Sequence, residues 1–182
     1  MEPNLGLVIQ NLVTMTGKTE SSKTLIDFTK RKEEELEAVL KTLDQLCDCL
    51  VGKELTIAVE STIKAAKIYK EDELEKLMGT LKEVAEYTMD GPTVRSVAEY
   101  ASNNYRRKTT RKVIETIANF TWHASIEDDN PTGPIRYVLR IGKQFHPRKL
   151  QEALDYANLL LRENSRSLDV NDVVREVRKV YC

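Results

Sequence analysis

Glycine and proline are scarce in this chain, seven and five in 182 residues. Several of them stand between periodic apolar runs, where they act as helix punctuation rather than as the frequent turns of a β-protein. Three cysteines, Cys47, Cys49 and Cys182, are too few and odd in number for a disulfide framework, and Cys182 is expected to be a free thiol. Cys47 and Cys49 fall about 200° apart around a helix, which excludes a shared metal ion. The two histidines, His123 and His146, lie on different expected elements, so no zinc site is expected.

Long apolar runs are also missing. The longest span three or four residues, such as Leu159 to Leu161, far short of the ~20 needed to cross a bilayer. Met1 to Thr16 lacks the basic start and apolar stretch of a secretory signal, so the expected location is cytoplasmic. With 41% apolar and 31% charged residues, the chain is neither a disordered tail nor a membrane protein.

Recognisable catalytic signatures are absent: there is no serine nucleophile elbow, no His-Glu-x-x-His and no Gly-x-Gly-x-x-Gly. Gly17-Lys18-Thr19 resembles the end of a phosphate-binding loop, but Leu12 stands where that loop needs glycine. Asp128, Asn130, Thr132 and Gly133 match the first positions of a calcium loop. The twelfth position, which should supply a bidentate carboxylate, is Leu139, and Pro131 interrupts the turn. A non-enzymatic protein without cofactor or metal is therefore expected.

What the chain has is helical periodicity. Leu5, Val8, Ile9, Leu12 and Val13 form a short first helix ended by Gly17, and Ser22 is a plausible start for a second. Leu36, Leu40, Leu43, Cys47 and Leu50 step alternately by four and three, a narrow apolar seam that could dock a partner or a second copy. The run Glu33 to Glu37 before it is most simply water-facing. Further stripes follow at Leu55 to Ala66, Leu74 to Ala85, Val94 to Ala101 with Thr93 as N-cap, Val113 to Ala124, Ile135 to Leu139, Leu150 to Leu161 and Val170 to Tyr181. Gly91-Pro92 should stop the fourth helix, and Pro147 suits the first turn of the eighth.

The fold class expected is all-α, with eight or nine amphipathic helices as stacked helical hairpins or as an irregular bundle. A step of 38 residues carries Leu36 to Leu74 and, after two further steps, to Leu150; Leu40, Met78 and Leu154 keep the same spacing. Stacked hairpins of the HEAT or TPR kind show such a period. Glu127 to Pro134 is the clearest loop, which suggests a region 1–129 followed by a smaller helical subdomain 130–182.

Charge is sorted along the chain. Residues 1–90 carry 12 Lys and Arg against 18 Asp and Glu, and residues 91–182 carry 16 against 11, so the net charge of -1 conceals two opposed halves. The densest basic segment is Arg106, Arg107, Lys108, Arg111 and Lys112, with Tyr105 beside it as a possible stacking residue. A second group is Arg136, Arg140, Lys143, Arg148 and Lys149, with no acidic residue between Asn130 and Gln151. Arg136, Arg140 and Lys143 share a helical face by spacing.

The segment from Arg148-Lys-Leu-Gln-Glu-Ala-Leu through Leu159-Leu-Leu-Arg to Ser167-Leu-Asp-Val-Asn-Asp-Val is similar to the helix, extended turn and helix of AAA+ lid subdomains and of histone folds. This resemblance covers about a fifth of the chain and implies DNA-linked work without assigning residue roles. The ATP-binding core of the first family is missing, and the central helix is short for the second. The expected partner is thus nucleic acid, engaged mainly through its phosphates, or else an acidic protein surface. The alternative is a helical adaptor or homo-oligomer that docks through the Leu36 to Leu50 seam.

Overall fold

The computed structural model describes residues 10, 14, 33–127, 129–163 and 169–182. The expected first helix around Leu5 to Val13 lies almost wholly outside them, as do Gly17-Lys18-Thr19, Ser22, Asp128 and Ser167-Leu168. Among the described residues the protein is all-helical, with α1 (Glu33–Cys49), α2 (Gly52–Ala66), α3 (Glu71–Thr88), α4 (Gly91–Asn104), α5 (Lys108–Glu127), α6 (Thr132–Gln144), α7 (Pro147–Glu163) and α8 (Val170–Tyr181). None of these helices is long and apolar enough to cross a membrane.

The helices form hairpins, and the 38-residue step has a structural counterpart: α3, α5 and α7 start at residues 71, 108 and 147. The chain divides into two compact units, residues 1–103 and 104–182, with the boundary in the last turn of α4. The Glu127 to Pro134 loop joins α5 and α6, which pack on each other inside the second unit.

In the first unit α1 and α3 run side by side and parallel. The Glu71 backbone N–H donates to Glu35 Oε1 at 3.0 Å near their beginnings, and the Thr42 hydroxyl reaches the Met78 carbonyl at 3.2 Å further along. Their shared face takes up the apolar seam. Leu40, Leu43, Cys47 and Leu50 are buried, Leu43 completely, while Leu36 is half-buried. The core is completed by Leu46 and Val39 from α1, Leu55 and Val59 from α2, and Leu74, Leu77, Met78 and Leu81 from α3. Each fully buried leucine contributes about 1.5–3 kcal/mol. The seam expected to dock a partner is thus packed inside the unit at Leu40, Leu43, Cys47 and Leu50.

Two glycines are needed for their backbones. Gly52 opens α2 with φ of 57°, the left-handed region open to glycine. A Cβ on Gly91 would sit 2.5 Å from the Glu54 carbonyl oxygen, so the start of α4 approaches the first turn of α2 closely only because no side chain intervenes. Helix α3 ends one step before this point, with Met89 in the left-handed conformation (φ 48°) and its N–H on the Ala85 carbonyl at 2.9 Å. Thr93 is not the N-cap of α4. The Asp90 carbonyl accepts from the Thr93 and Val94 N–H groups, and the buried Thr93 hydroxyl donates to the Asp90 carboxylate from within the first turn.

In the second unit α5 and α7 are also parallel. Asn158 on α7 donates to the Thr116 hydroxyl and accepts from the Asn119 amide on α5, at 2.9 and 2.8 Å. Helices α6 and α8 run the opposite way. Asn171 at the start of α8 meets Asp129 just before α6, and Arg178 near its end meets Tyr137 further along α6. Val113, Ile117 and Phe120 of α5 face the core, with Ile135 and Val138 of α6, Leu150, Leu154 and Leu161 of α7, and Val170, Val173 and Val177 of α8.

Candidate nucleic-acid interface

Every basic residue singled out from the sequence lies in the second unit, residues 104–182. The turn that presents the first group is set by local hydrogen bonds. The Asn104 carbonyl accepts from the Arg107 N–H at 2.8 Å and from the buried Thr110 hydroxyl at 2.6 Å, which ties the turn to the first coil of α5. Arg106, Arg107, Lys108 and Arg111 are consequently exposed, and among the described residues none of the four pairs with a carboxylate. Tyr105 is 40% exposed beside them.

Lys112 differs. Its ammonium lies 3.0 Å from Asp155 on α7, so its charge is locally neutralised. Burial pushes the Asp155 carboxyl up. Hydrogen bonds from Gln151 and Lys112, with the Lys112 charge, more than offset that and hold it below the usual carboxylate range.

The Lys112–Asp155 pair, with Asn158 bonded to Thr116 and Asn119 further along both helices, sets the N-termini of α5 and α7 toward the same end of the unit. Neither helix has an acidic residue in its first turn. Lys108 opens α5, and Arg148 and Lys149 follow Pro147 at the start of α7. Helix α6 returns antiparallel to α5, so its C-terminal Lys143 also comes toward this end. Arg148 shares its charge with Glu152 in an exposed pair at 3.1 Å, and the Lys149 ammonium lies 4.3 Å from the centre of the Phe145 ring. Arg136 and Arg140 continue along the exposed side of α6.

Cations in the first turn oppose the helix dipole, which places partial positive charge there already. Two parallel N-termini, each with its helix dipole and added cations, concentrate positive potential at one end. Phosphate is the complementary chemistry for that arrangement.

The opposite end of the same unit is acidic. Asp169 caps α8, accepting from the Asn171 and Asp172 N–H groups at 2.8 and 2.7 Å, while Asp129 Oδ2 accepts from the Asn171 amide at 3.1 Å. Glu127 joins them with its Oε2 buried and without a hydrogen-bond partner among the described residues. Burial, then Asp169 and Asp129, raise the Glu127 carboxyl. The charge polarity read along the whole chain thus recurs within this single unit.

The calcium-like loop here is occupied with its own turn. Asn130 Oδ1 accepts from the Thr132 N–H at 2.9 Å, and Asp129 is engaged as above. Among the described residues no group of His, Cys, Asp and Glu is placed to hold a metal ion. His123 is buried edge-on to Trp122, and burial lowers its pKa. His146 is exposed.

Compared with family models, curated proteins and solved structures, the chain matches none.

One cation escaped the sequence reading. Arg178 on α8 reaches the Tyr137 ring of α6, its guanidinium carbon 4.9 Å from the ring centre, and Arg140 reaches the same ring at 5.3 Å. A signal for it exists in the sequence. On α8, Arg175 has Asp172 and Lys179 has Glu176 three residues before it, and both pairs form, whereas Arg178 has Arg175 and Val174 at the corresponding positions.

Proposed function

We propose that residues 104–182 form a nucleic-acid-binding unit that holds the phosphate backbone at its basic end, and that the protein works by binding rather than by catalysis. The observation that carries this reading is the pair of parallel helix N-termini, α5 and α7, with acid-free first turns and cations in place of the usual carboxylates. Such an end is unfavourable for the isolated helices and favourable for an anion.

Arg106, Arg107, Lys108 and Arg111 make the primary contacts, with Lys143, Arg148 and Lys149 beside them and Arg136 and Arg140 along α6. Tyr105 stacks on an unpaired base. Lys112 contributes least, because Asp155 holds it. Recognition is of backbone rather than sequence, since no groove-reading motif is present. An intracellular setting agrees with this role.

The test is fluorescence anisotropy of the intact protein with short single- and double-stranded DNA and RNA at about 50 and 200 mM salt. Binding should weaken steeply with salt, and Arg107→Glu with Arg111→Glu should abolish most of it. Unchanged affinity in that double variant would overturn the proposal.

A protein partner would need a different surface from the buried seam. Trp122 and Ile126, 56% and 57% exposed and four residues apart on α5, are two of the exposed apolar side chains that could serve it.

A further inference from the structure

Arg140 and Arg178 come from separate helices and converge on one aromatic ring. Tyr137, only 3% exposed, is locked between α6 and α8, its hydroxyl 3.7 Å from Cys182 Sγ just past the end of α8. The two guanidinium carbons lie 5.3 and 4.9 Å from the ring centre, so they can be no farther apart than those two distances laid end to end. Both side chains are exposed, and among the described residues neither has a carboxylate partner.

The surrounding charges make this arrangement selective. On α8 the flanking cations are spoken for, Arg175 by Asp172 at 2.5 Å and Lys179 by Glu176 at 2.5 Å. On α6 the residues one turn either side of Arg140 are Arg136, Tyr137, Lys143 and Gln144, which offer it no carboxylate. The ring attracts each guanidinium by its π-face and limits the rotamers each long side chain must give up on binding. Two unneutralised guanidiniums on one ring add their positive potentials there, and an anion with several acceptor oxygens complements that potential while meeting the planar donor forks.

We propose that Arg140 and Arg178, both laid against Tyr137, act as a paired phosphate grip, so that the last helix is part of the binding surface. This rests on the reading of the unit as a nucleic-acid binder and extends it to a residue that the linear charge runs do not contain. Phosphate of the nucleic-acid backbone is the ligand, and the grip continues the Arg136 to Lys143 side of α6 onto α8.

The experiment compares the intact protein with Arg140→Gln/Arg178→Gln, Arg178→Lys and Arg107→Glu/Arg111→Glu, titrating a labelled single-stranded oligonucleotide at several salt concentrations. Circular dichroism and melting establish that each variant is folded. The Gln pair should lose about five- to tenfold in affinity at 50 mM salt, with a salt slope shallower by about one. Arg178→Lys keeps the charge but not the fork, and should retain the slope while losing part of the affinity.

A parallel titration with inorganic phosphate, read from the arginine Nε–H NMR signals, separates the sources. Shifts at Arg140 and Arg178 at millimolar phosphate with no oligonucleotide effect would mean a free-anion site and would overturn the backbone proposal. If Arg107→Glu/Arg111→Glu abolishes binding while the Gln pair binds like the unaltered protein, the grip is wrong and the wider reading stands. If the unaltered protein binds no oligonucleotide, both fall.

Discussion

Asn158 of α7, 4% exposed, donates its side-chain amide to the hydroxyl of Thr116 on α5 at 2.9 Å. The same hydroxyl donates to the Lys112 carbonyl, and Asn158 also accepts from Asn119, so these side chains form one polar network between the two helices. Asn158→Leu should cost about 2 kcal/mol, because it leaves Thr116 and Asn119 without their partner. Adding Thr116→Val should recover about 1 kcal/mol. Urea unfolding of the two singles and the double gives the coupling, and strict additivity would sink the idea.

Asp155 restrains Lys112, and that restraint is predicted to limit binding. Asp155→Asn removes the carboxylate 3.0 Å from the ammonium and releases a cation at the basic end. Affinity for single-stranded oligonucleotide should rise about threefold at low salt, with the gain lost as screening increases. Lys112→Gln, by contrast, should weaken binding less than Arg111→Gln does.

Leu43 has no exposed surface and lies in the face that α1 shares with α3. Leu43→Ala should destabilise by about 3 kcal/mol, and Leu43→Asp should unfold the first unit by burying an unpaired charge. Sedimentation run beside circular dichroism distinguishes this from loss of assembly. A folded Leu43→Asp protein with altered oligomeric state would show that the seam serves a partner after all.

Glu127 should stabilise the protein when replaced by Gln. Its carboxyl ionises at higher pH in the folded chain than in the unfolded one, through burial and the neighbouring Asp169 and Asp129. The folded state therefore has its advantage at low pH, where the group is protonated in both states, and loses it as pH rises through the folded value. At pH 7 the Gln variant should gain about 1 kcal/mol. Below about pH 4 the two proteins should melt together.

The thiols should separate by reactivity. Cys47 is buried, and burial, then Asp44 and Asp48, push its pKa up to about 11, while Cys182 is exposed. At pH 8 iodoacetamide should label Cys182 rapidly and Cys47 only on unfolding. Mass spectrometry of a time course reads this directly, and early labelling of Cys47 would mean that α1 opens from the core.

Among the described residues helix positions were legible because the apolar stripes are regular and are buried where their spacing puts them; Val113, Ile117 and Phe120 are examples. The boundary near Gly91 was less so. Thr93 has the chemistry of a cap, but the close approach of Gly91 to Glu54 starts the helix earlier, a tertiary constraint that leaves no local mark. The Leu36 to Leu50 seam has the spacing of a docking face, and spacing alone does not say whether the partner is another chain or α3. Arg178 was hidden for a related reason. It stands apart in sequence from every other residue of the basic surface, and only the packing of α8 against α6 brings it to Tyr137.

The acid-free first turns of α5 and α7 carry one last consequence, which concerns folding rather than recognition. Positive side chains at those N-termini work against the backbone of their own helices by a few tenths of a kcal/mol each. Any polyanion bound there relieves that opposition only in the folded state, so folding and ligand occupancy become linked by mass action. Were such an anion to bind, the melting temperature of this unit would become a gauge of its surroundings, rising with the anion's concentration.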